Sequence, residues 1–281
     1  MPKIALVLAG GGSRGLAHIG VLEVLAREKI PIDLIVATSM GAIVGTFFAL
    51  GYSPQEIGVG MRQIQPQLVI LSLSAWARQR RLLSRLRAVI GERTFADLQI
   101  PMIMMAVDMA QGTEVELSAG PLLPAILASS AVPGAFPPIQ HEGRYLADGG
   151  VIDCLATHVA FAHGAEKVIA VDVYPPLDND NPWVNPLSAI TGFQLPGPFL
   201  NKINLRNKTM PTAAAALWRS VRIMTWYLHQ KRLTEYPPHI LLQPSVAQYG
   251  VFDFKDMEGI QRAGVVAAEA KLAEIKALVI D

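Results

Sequence analysis

Apolar residues along the chain follow two rhythms. Short unbroken runs at Ile4–Leu8 and residues 32–36 are bounded by Gly, Pro or Ser, the pattern of strands buried on both faces of a sheet. Between them Ala17, Val21, Leu22 and Leu25 recur at helical spacing. The opening therefore reads strand, glycine loop, helix, strand, a βαβ unit with its crossover helix. A second helix is expected after Ser39, running through residues 47–50 to a stop at Gly51. A third should start at Ser53-Pro54-Gln55-Glu56, where Pro stands in the first turn and Glu three residues after Ser. Further strands are expected at 102–107 and 114–117, joined through Gln111-Gly112, with a short helix over 121–130 ended by the loop 133–138. A helix over 155–163 and a buried strand over 168–173 follow.

From 175 to 211 the texture changes, because Pro175, Pro176, Pro182, Pro186, Pro196, Pro198 and Pro211 break any long regular element. That stretch reads as an extended loop or lid. A helix over 212–235, a strand over 239–242 and a final helix over 255–278 complete the pattern, and no internal repeat is visible. Strands alternating with helices predict an α/β fold with a mostly parallel central sheet and helices on both faces. The expected organisation is a single domain over 1–281: a core of about 3–175, the Pro-rich loop 175–211 and a helical C-terminal extension over 212–281.

Composition sharpens this reading in three places. Lys and Arg number 24 against 23 Asp and Glu, so no global pull on nucleic acid is expected. Hydrophobic residues make up 51% and charged ones 17%, with mean hydropathy +0.34, which suits a large core and a surface that touches lipid or another chain. Cys154 is the only cysteine, which excludes an internal disulfide and Cys-rich metal sites and favours a reducing, cytoplasmic home. The first apolar run is short and leads into Gly10–Gly15 rather than a cleavage site, so a buried strand is expected there instead of a signal peptide. No stretch of about 18 uninterrupted apolar residues exists to span a membrane.

Candidate chemistry sits at the ends of the first two strands. Ser39 stands in Ala37-Thr38-Ser39-Met40-Gly41, with small residues two positions either side, as a strand-to-helix nucleophile elbow demands. Gly is the usual residue at the first of these positions, so Ala37 is a departure. The following helix would aim its positive end at the reacting centre. Gly10-Gly11-Gly12-Ser13-Arg14-Gly15 could bring backbone N–H groups close to a ligand, as an oxyanion hole needs. The same run also satisfies G-x-G-x-x-G, with Asp33 as the acidic residue of a dinucleotide site. Asp33, however, lies near the start of the second strand and not at its end, and no Lys-Ser/Thr follows the loop. Asp148-Gly149-Gly150 supplies a carboxylate on a later turn.

Taken together these pieces resemble a known family, the bacterial patatin-like phospholipases (acyl hydrolases). The likeness runs through Gly10–Gly15, Arg14-Gly15-Leu16-Ala17-His18-Ile19-Gly20-Val21-Leu22, Thr38-Ser39-Met40-Gly41, residues 128–138 (Ala-Ser-Ser-Ala-Val-Pro-Gly-Ala-Phe-Pro-Pro), Asp148-Gly149-Gly150-Val151 and Asp253-Phe254, in order. The resemblance implies a three-layer patatin-like core and a Ser–Asp dyad. Ser39 would be the nucleophile and Asp148 its base, with an oxyanion hole from Gly10, Gly11, Gly12, Ser13, Arg14 and Gly15. It implies hydrolysis of lipid carboxylic esters, of phospholipase A or lysophospholipase type, through an acyl-Ser39 intermediate, with no metal and no cofactor. A short-chain esterase or thioesterase, or a non-catalytic acyl-binding regulatory homologue, are the alternatives. This chain departs from its relatives after the Asp-Gly-Gly turn, reading Ile152-Asp153-Cys154-Leu155-Ala156 where relatives carry an Asn and prolines. Asp153, if near in space, would raise the pKa of Asp148.

Other groups are weighed against these. His158 or His163 could complete a Ser–Asp–His triad, but both read better as ordinary residues of the helix over 155–163. His18 reads as a packing or hydrogen-bonding histidine, and Asp108 and Asp172, each ending a strand, as loop holders. Arg14 could bind an anionic head group or tie its loop to a carbonyl. Arg78, Arg80, Arg81, Arg85 and Arg87 cluster without an acid. On a helix, Leu82, Leu83, Leu86, Val89 and Ile90 would form one face and Arg78, Arg81 and Arg85 another. With 68–73 and Trp76, the segment 68–90 could dock on anionic lipid at the inner membrane face, or simply be solvated.

Overall fold

The structure, a computed structural model, describes residues 2–64, 66, 74–178 and 213–280, the side chain of Ala214 excepted. The expected lipid-facing stretch 68–73 and all of the Pro-rich segment beyond 178 lie outside the described residues.

Continuous apolar runs do become strands buried on both faces: β1 (Ile4–Leu8), β2 (Leu34–Thr38), β3 (Met102–Asp108) and β7 (Lys167–Val171) have almost no exposed position. With β8 (Ile240–Leu242) they form a parallel array ordered β3-β2-β1-β7-β8. The remaining strands are antiparallel. β4 (Thr113–Leu117) runs along one edge of β3, and β5 (Ile139–His141) pairs with β6 (Arg144–Asp148) in a hairpin turned at Glu142-Gly143, both with positive φ. The crossovers place α1 (Ala17–Arg27), α2 (Met40–Ala49), α3 (Pro54–Ile64), α4 (Ala75–Ile90) and α5 (Leu122–Ser129) in one packed group. α6 (Thr157–Ala162) packs over β1, β2 and β7, and α7 (Ala213–Glu235) packs on α6. α8 (Met257–Ala270) crosses α1 so closely that a Cβ on Gly264 would strike the carbonyl oxygen of Ala17.

One edge of β3 explains how the site is assembled. Met104 and Met105 pair with β2 and with β4, while Ala106 and Asp108 pair with β4 and with β6. A strand has two edges, so β2 and β6 must share one, entering it from opposite ends. β2 stops at Thr38, opposite Met105; β6 stops at Asp148, opposite Ala106. The residues that end the two strands therefore meet almost head-on.

Three expectations need correction. Asp148 is the last residue of a strand, not part of a flexible turn. The expected final helix is two, α8 and α9 (Leu272–Ile280), separated at Lys271, whose backbone is non-helical. The break lets Ile275 bury completely and Lys276 reach Glu28 at 2.6 Å. Arg78 does not share the exposed face of α4. It repeats with Leu82, Leu86 and Ile90 every four residues, faces inward, and donates from Nε to the Ala135 carbonyl at 2.7 Å. No helix among the described residues is long and apolar enough to cross a membrane.

Candidate active site

Ser39 occupies the junction of β2 and α2 with φ 55° and ψ −121°, a left-handed conformation that an ordinary side chain adopts at a cost of about 1–3 kcal/mol. The turn is that tight because α2 starts immediately. A Cβ on Gly41 would run into the carbonyl oxygens of Leu8 and Ala9, so only glycine fits there. Ala37, by contrast, lies inside β2, paired with Leu8 and Met104, where its methyl is accommodated. The Ser39 N–H donates to Ser129 Oγ at 3.0 Å and Ser130 Oγ donates to the Ser39 carbonyl at 3.5 Å. Ser129 and Ser130 thus hold the elbow from the end of α5. They lay within the motif at 128–138, but nothing in the sequence assigned them this task.

Asp148 is 5% exposed, and its Oδ1 accepts the Gly150 N–H at 2.8 Å. Burial pushes its carboxyl up to about 6, against the opposing pull of hydrogen bonds from the Ser39 hydroxyl and the Gly150 N–H. The expected contribution of Asp153 is not the cause. Asp153 accepts the Leu155 N–H at 2.9 Å and faces His158 Nδ1 at 3.4 Å. His158 in turn bonds Glu114 at 3.0 Å through Nε2, and contact with Asp153, then Glu114, raises its pKa to about 9. An imidazolium clamped between two carboxylates on opposite ring edges is spent as an ion-pair bridge. His163 is engaged with Glu116 at 2.7 Å. Neither histidine reaches Ser39. Glu114, Asp153 and His158 each place one ligand atom within 4.8 Å of the others, close enough to hold a metal ion, and His158 is paired with a carboxylate at each ring nitrogen.

The glycine loop is bound to a strip near the C-terminus that sequence reasoning had not connected to it. Ser13 N–H donates to the Val251 carbonyl and Ser13 Oγ to the Gly250 carbonyl, each at 2.7 Å, and Arg14 Nε donates to the Tyr249 carbonyl at 2.9 Å. Arg14 is therefore a tie between its loop and a carbonyl. It is buried, and desolvation, then the nearby Arg222, lowers its pKa to about 10, which leaves it charged near neutrality. Gly10 N–H is used by the Cys154 carbonyl at 2.9 Å. Arg14 and Gly15 lie inside the 3-10 turn Gly12–Leu16. Among the described residues, the N–H groups of Gly11 and Gly12 are left without an acceptor. His18 is fully buried and bonds the Ala9 carbonyl at 2.8 Å, and burial lowers its pKa to about 4. Asp108 accepts from Ala110 and Gln111 and holds its loop.

Ser39 opens onto a narrow cleft of ≈ 50 Å³ lined by Met40, Ile43, Met61, Leu82, Phe136 and Phe252 among others, almost wholly apolar. A larger hollow of ≈ 380 Å³ opens among Lys3, Leu34, Phe95 and Met102 at the amino ends of the strands, away from Ser39.

Comparison with known proteins identifies the family. The sequence pattern of the Patatin family, described as patatin-like phospholipase, matches residues 6–161. An uncharacterised NTE family protein of Mycobacterium tuberculosis is 34% identical over 178 residues, covering 61% of this chain and 49% of that protein. Patatin-like phospholipase domain-containing protein 7 of Rattus norvegicus is 29% identical over 272 residues, covering 93% of this chain and 20% of that protein. The chain thus spans less than half the length of these relatives. Among solved structures, VipD of Legionella pneumophila matches with 15% identity and a TM-score of 0.45, over 98% of this chain and 77% of that one. With its family pattern covering more than half of its length, the chain belongs to the patatin-like phospholipases.

Proposed function

We propose that the protein is a serine acyl hydrolase acting on carboxylic esters of lipids, with Ser39 as nucleophile and Asp148 as base. The observation that carries this is the meeting of β2 and β6 on one edge of β3, which brings the strained Ser39 and the buried Asp148 carboxylate to adjacent strand ends, with the Ser39 side chain among the groups that act on the Asp148 pKa. A carboxylate is a weak base, and a pKa near 6 brings it closer to the working pH while leaving it mostly ionised at neutrality. Ser39 Oγ attacks the ester carbonyl carbon while its proton passes to Asp148. Negative charge collects on the former carbonyl oxygen, where the N–H groups of Gly11 and Gly12 and the N-terminus of α2 are the donors available. Collapse breaks the ester C–O bond, and the leaving alkoxide takes the proton from Asp148. Water, deprotonated by the same carboxylate, then attacks the acyl carbon; the bond to Ser39 Oγ breaks, Oγ takes the proton back from Asp148, and the acid leaves. The apolar cleft supports an acyl chain as the group that is held.

Fluorophosphonate labelling read by peptide mass tests the assignment. A single adduct on Ser39, absent in Ser39→Ala, is the expected result; no adduct on the folded protein would sink it. The narrowness of the cleft favours a second reading, a short-chain esterase or thioesterase. Turnover of soluble short esters without any of vesicular phospholipid would select it.

We further propose that α4 docks on anionic lipid. Trp76 is 66% exposed in its first turn, and Arg80, Arg81 and Arg87 lie on its outer side with Arg85 half-buried. Reversing Arg80, Arg81 and Arg85 to Glu should weaken binding to phosphatidylserine vesicles at least ~10-fold in co-sedimentation, each basic residue near such a surface being worth about 1 kcal/mol. Unchanged vesicle binding would end the lipid-docking idea.

A further inference from the structure

Three buried side chains outside the reacting pair stand in a row behind the glycine loop. His229, on the inner face of α7, bonds Asp172 Oδ2 through Nε2 at 3.1 Å and meets Cys154 Sγ through Nδ1 at 3.4 Å. Each of the three residues is at most 5% exposed. A carboxylate only accepts, so Nε2 carries the proton that Asp172 receives. Burial, together with the charges of Asp172, Asp153 and Asp148, pushes the Cys154 thiol well above its usual range. The thiol is therefore protonated, and its contact with Nδ1 together with the Asp172 bond at Nε2 leaves both ring nitrogens partnered. A sulfur in this state is a poor nucleophile, so the row is not a second catalytic triad despite its Cys-His-Asp composition.

What the row does is set by what its two ends hold. Cys154 receives the Gly10 N–H on its backbone carbonyl and lies just past the turn that follows Asp148. Asp172 receives the Tyr174 N–H at 2.9 Å and so fixes Val173, whose side chain closes against Gly11: a Cβ there would come within 2.7 Å of Val173 Cγ2. Ala9 N–H bonds the Val171 carbonyl at 3.1 Å. Residues 9–11 thus run between a wall at Cys154 and a wall at 171–173, and His229 is the cross-tie between the walls. α7 is fastened at the same level by the 2.6 Å bond between Tyr174 and Thr225 and by Arg222 lying 4.5 Å over the Tyr174 ring.

We propose that His229 is a positioning residue, holding the N–H groups of Gly11 and Gly12 in place through Cys154 and Asp172. The proposal rests on the hydrolase reading for its catalytic consequence, but the mechanical coupling can be measured without any substrate. Hydrogen exchange of the peptide covering Gly10–Gly15, followed by mass spectrometry alongside kcat and KM on a soluble short ester, separates the two. In His229→Ala the loop peptide should exchange roughly 10-fold faster or more while peptides from α1 and β2 keep their protection. Over the same change kcat should fall at least ~10-fold with KM moving less than about twofold, because a displaced oxyanion donor costs transition-state and not ground-state binding. Cys154→Ala should give the same signature in smaller measure, and the double variant should be no worse than His229→Ala alone, since both cut one connection. His229→Gln, which offers an acceptor and a donor, should recover part of kcat, and it serves as the test if His229→Ala does not fold. Unchanged loop exchange in the two His229 variants, additive losses in the double variant, or a fall confined to KM would each overturn the proposal. A wild-type protein inert toward esters that still shows the exchange response would refute the hydrolase reading and leave the coupling standing.

Discussion

Asp148→Asn should lower kcat on any ester substrate at least ~10³-fold and yet leave the protein more stable at neutral pH, because the same burial that makes Asp148 a usable base is a cost to the fold. The carboxyl is raised from 3.8 to about 6 in the folded chain. The folded state therefore binds the proton more tightly than the unfolded state, and stability falls as pH rises from about 4 through about 6. Above that window the penalty amounts to roughly 3 kcal/mol, at about 1.4 kcal/mol for each pKa unit. Below pH 4 both states are protonated and the penalty vanishes. Urea denaturation at pH 7 should accordingly show the Asn variant more stable than wild type, with the difference closing toward pH 4. The wild-type rate should fall tenfold per pH unit below about 6, as the base is protonated. A variant less stable at pH 7 than at pH 4, relative to wild type, would mean that Asp148 is stabilised as a carboxylate. Turnover near the wild-type level would mean that the base lies elsewhere.

How much of this could be read from the chain depends on where each signal is stored. β1, β2 and β3 were legible because a strand covered on both faces must be apolar at every position, and the elbow at Ser39 was legible because Gly41 admits no other residue. The hairpin of β5 and β6 carries no such run. Its tip is His141-Glu142-Gly143-Arg144, and Tyr145 is 55% exposed, so the sequence pattern assigns no strand over 139–147 and places Asp148 on a turn. The helical period itself put Arg78 in line with Leu82 and Leu86, but its charge suggested the opposite face. The Ala135 carbonyl that makes its burial tolerable is 57 residues away. The break at Lys271 falls among good helix formers and answers to the packing of Ile275 and Lys276, not to a local stop signal. The ties from Ser13 and Arg14 to residues 249–251, and the row from Cys154 through His229 to Asp172, join positions with no shared local pattern. Local chemistry announced the reacting groups; the parts that hold them in place arise only when distant segments meet.

That division sets the second large effect, which separates two adjacent glycines of the same loop. Gly12 has φ +60°, and a Cβ there would collide with the backbone carbonyl of Val251, the same oxygen that accepts the Ser13 N–H. A main-chain atom held at both ends cannot step aside, and the left-handed backbone adds its own penalty for any side chain. In Gly12→Ala the loop must therefore move, carrying the Gly11 and Gly12 N–H groups away from the developing oxyanion. Removing one such donor costs about 10²–10³ in kcat, so a loss of at least ~10² is expected, with a lower melting temperature as well. Gly11 has φ 178°, an extended conformation open to any residue, and its added methyl would press on the Val173 side chain rather than on a main-chain carbonyl. Gly11→Ala should retain ten times or more the activity of Gly12→Ala, on the order of the difference between a soft and a rigid neighbour. Steady-state kcat for the pair, with melting temperatures, decides the matter. Equal losses would mean that the loop is not fixed by Val251 and that its amides are free to find the oxyanion from another conformation.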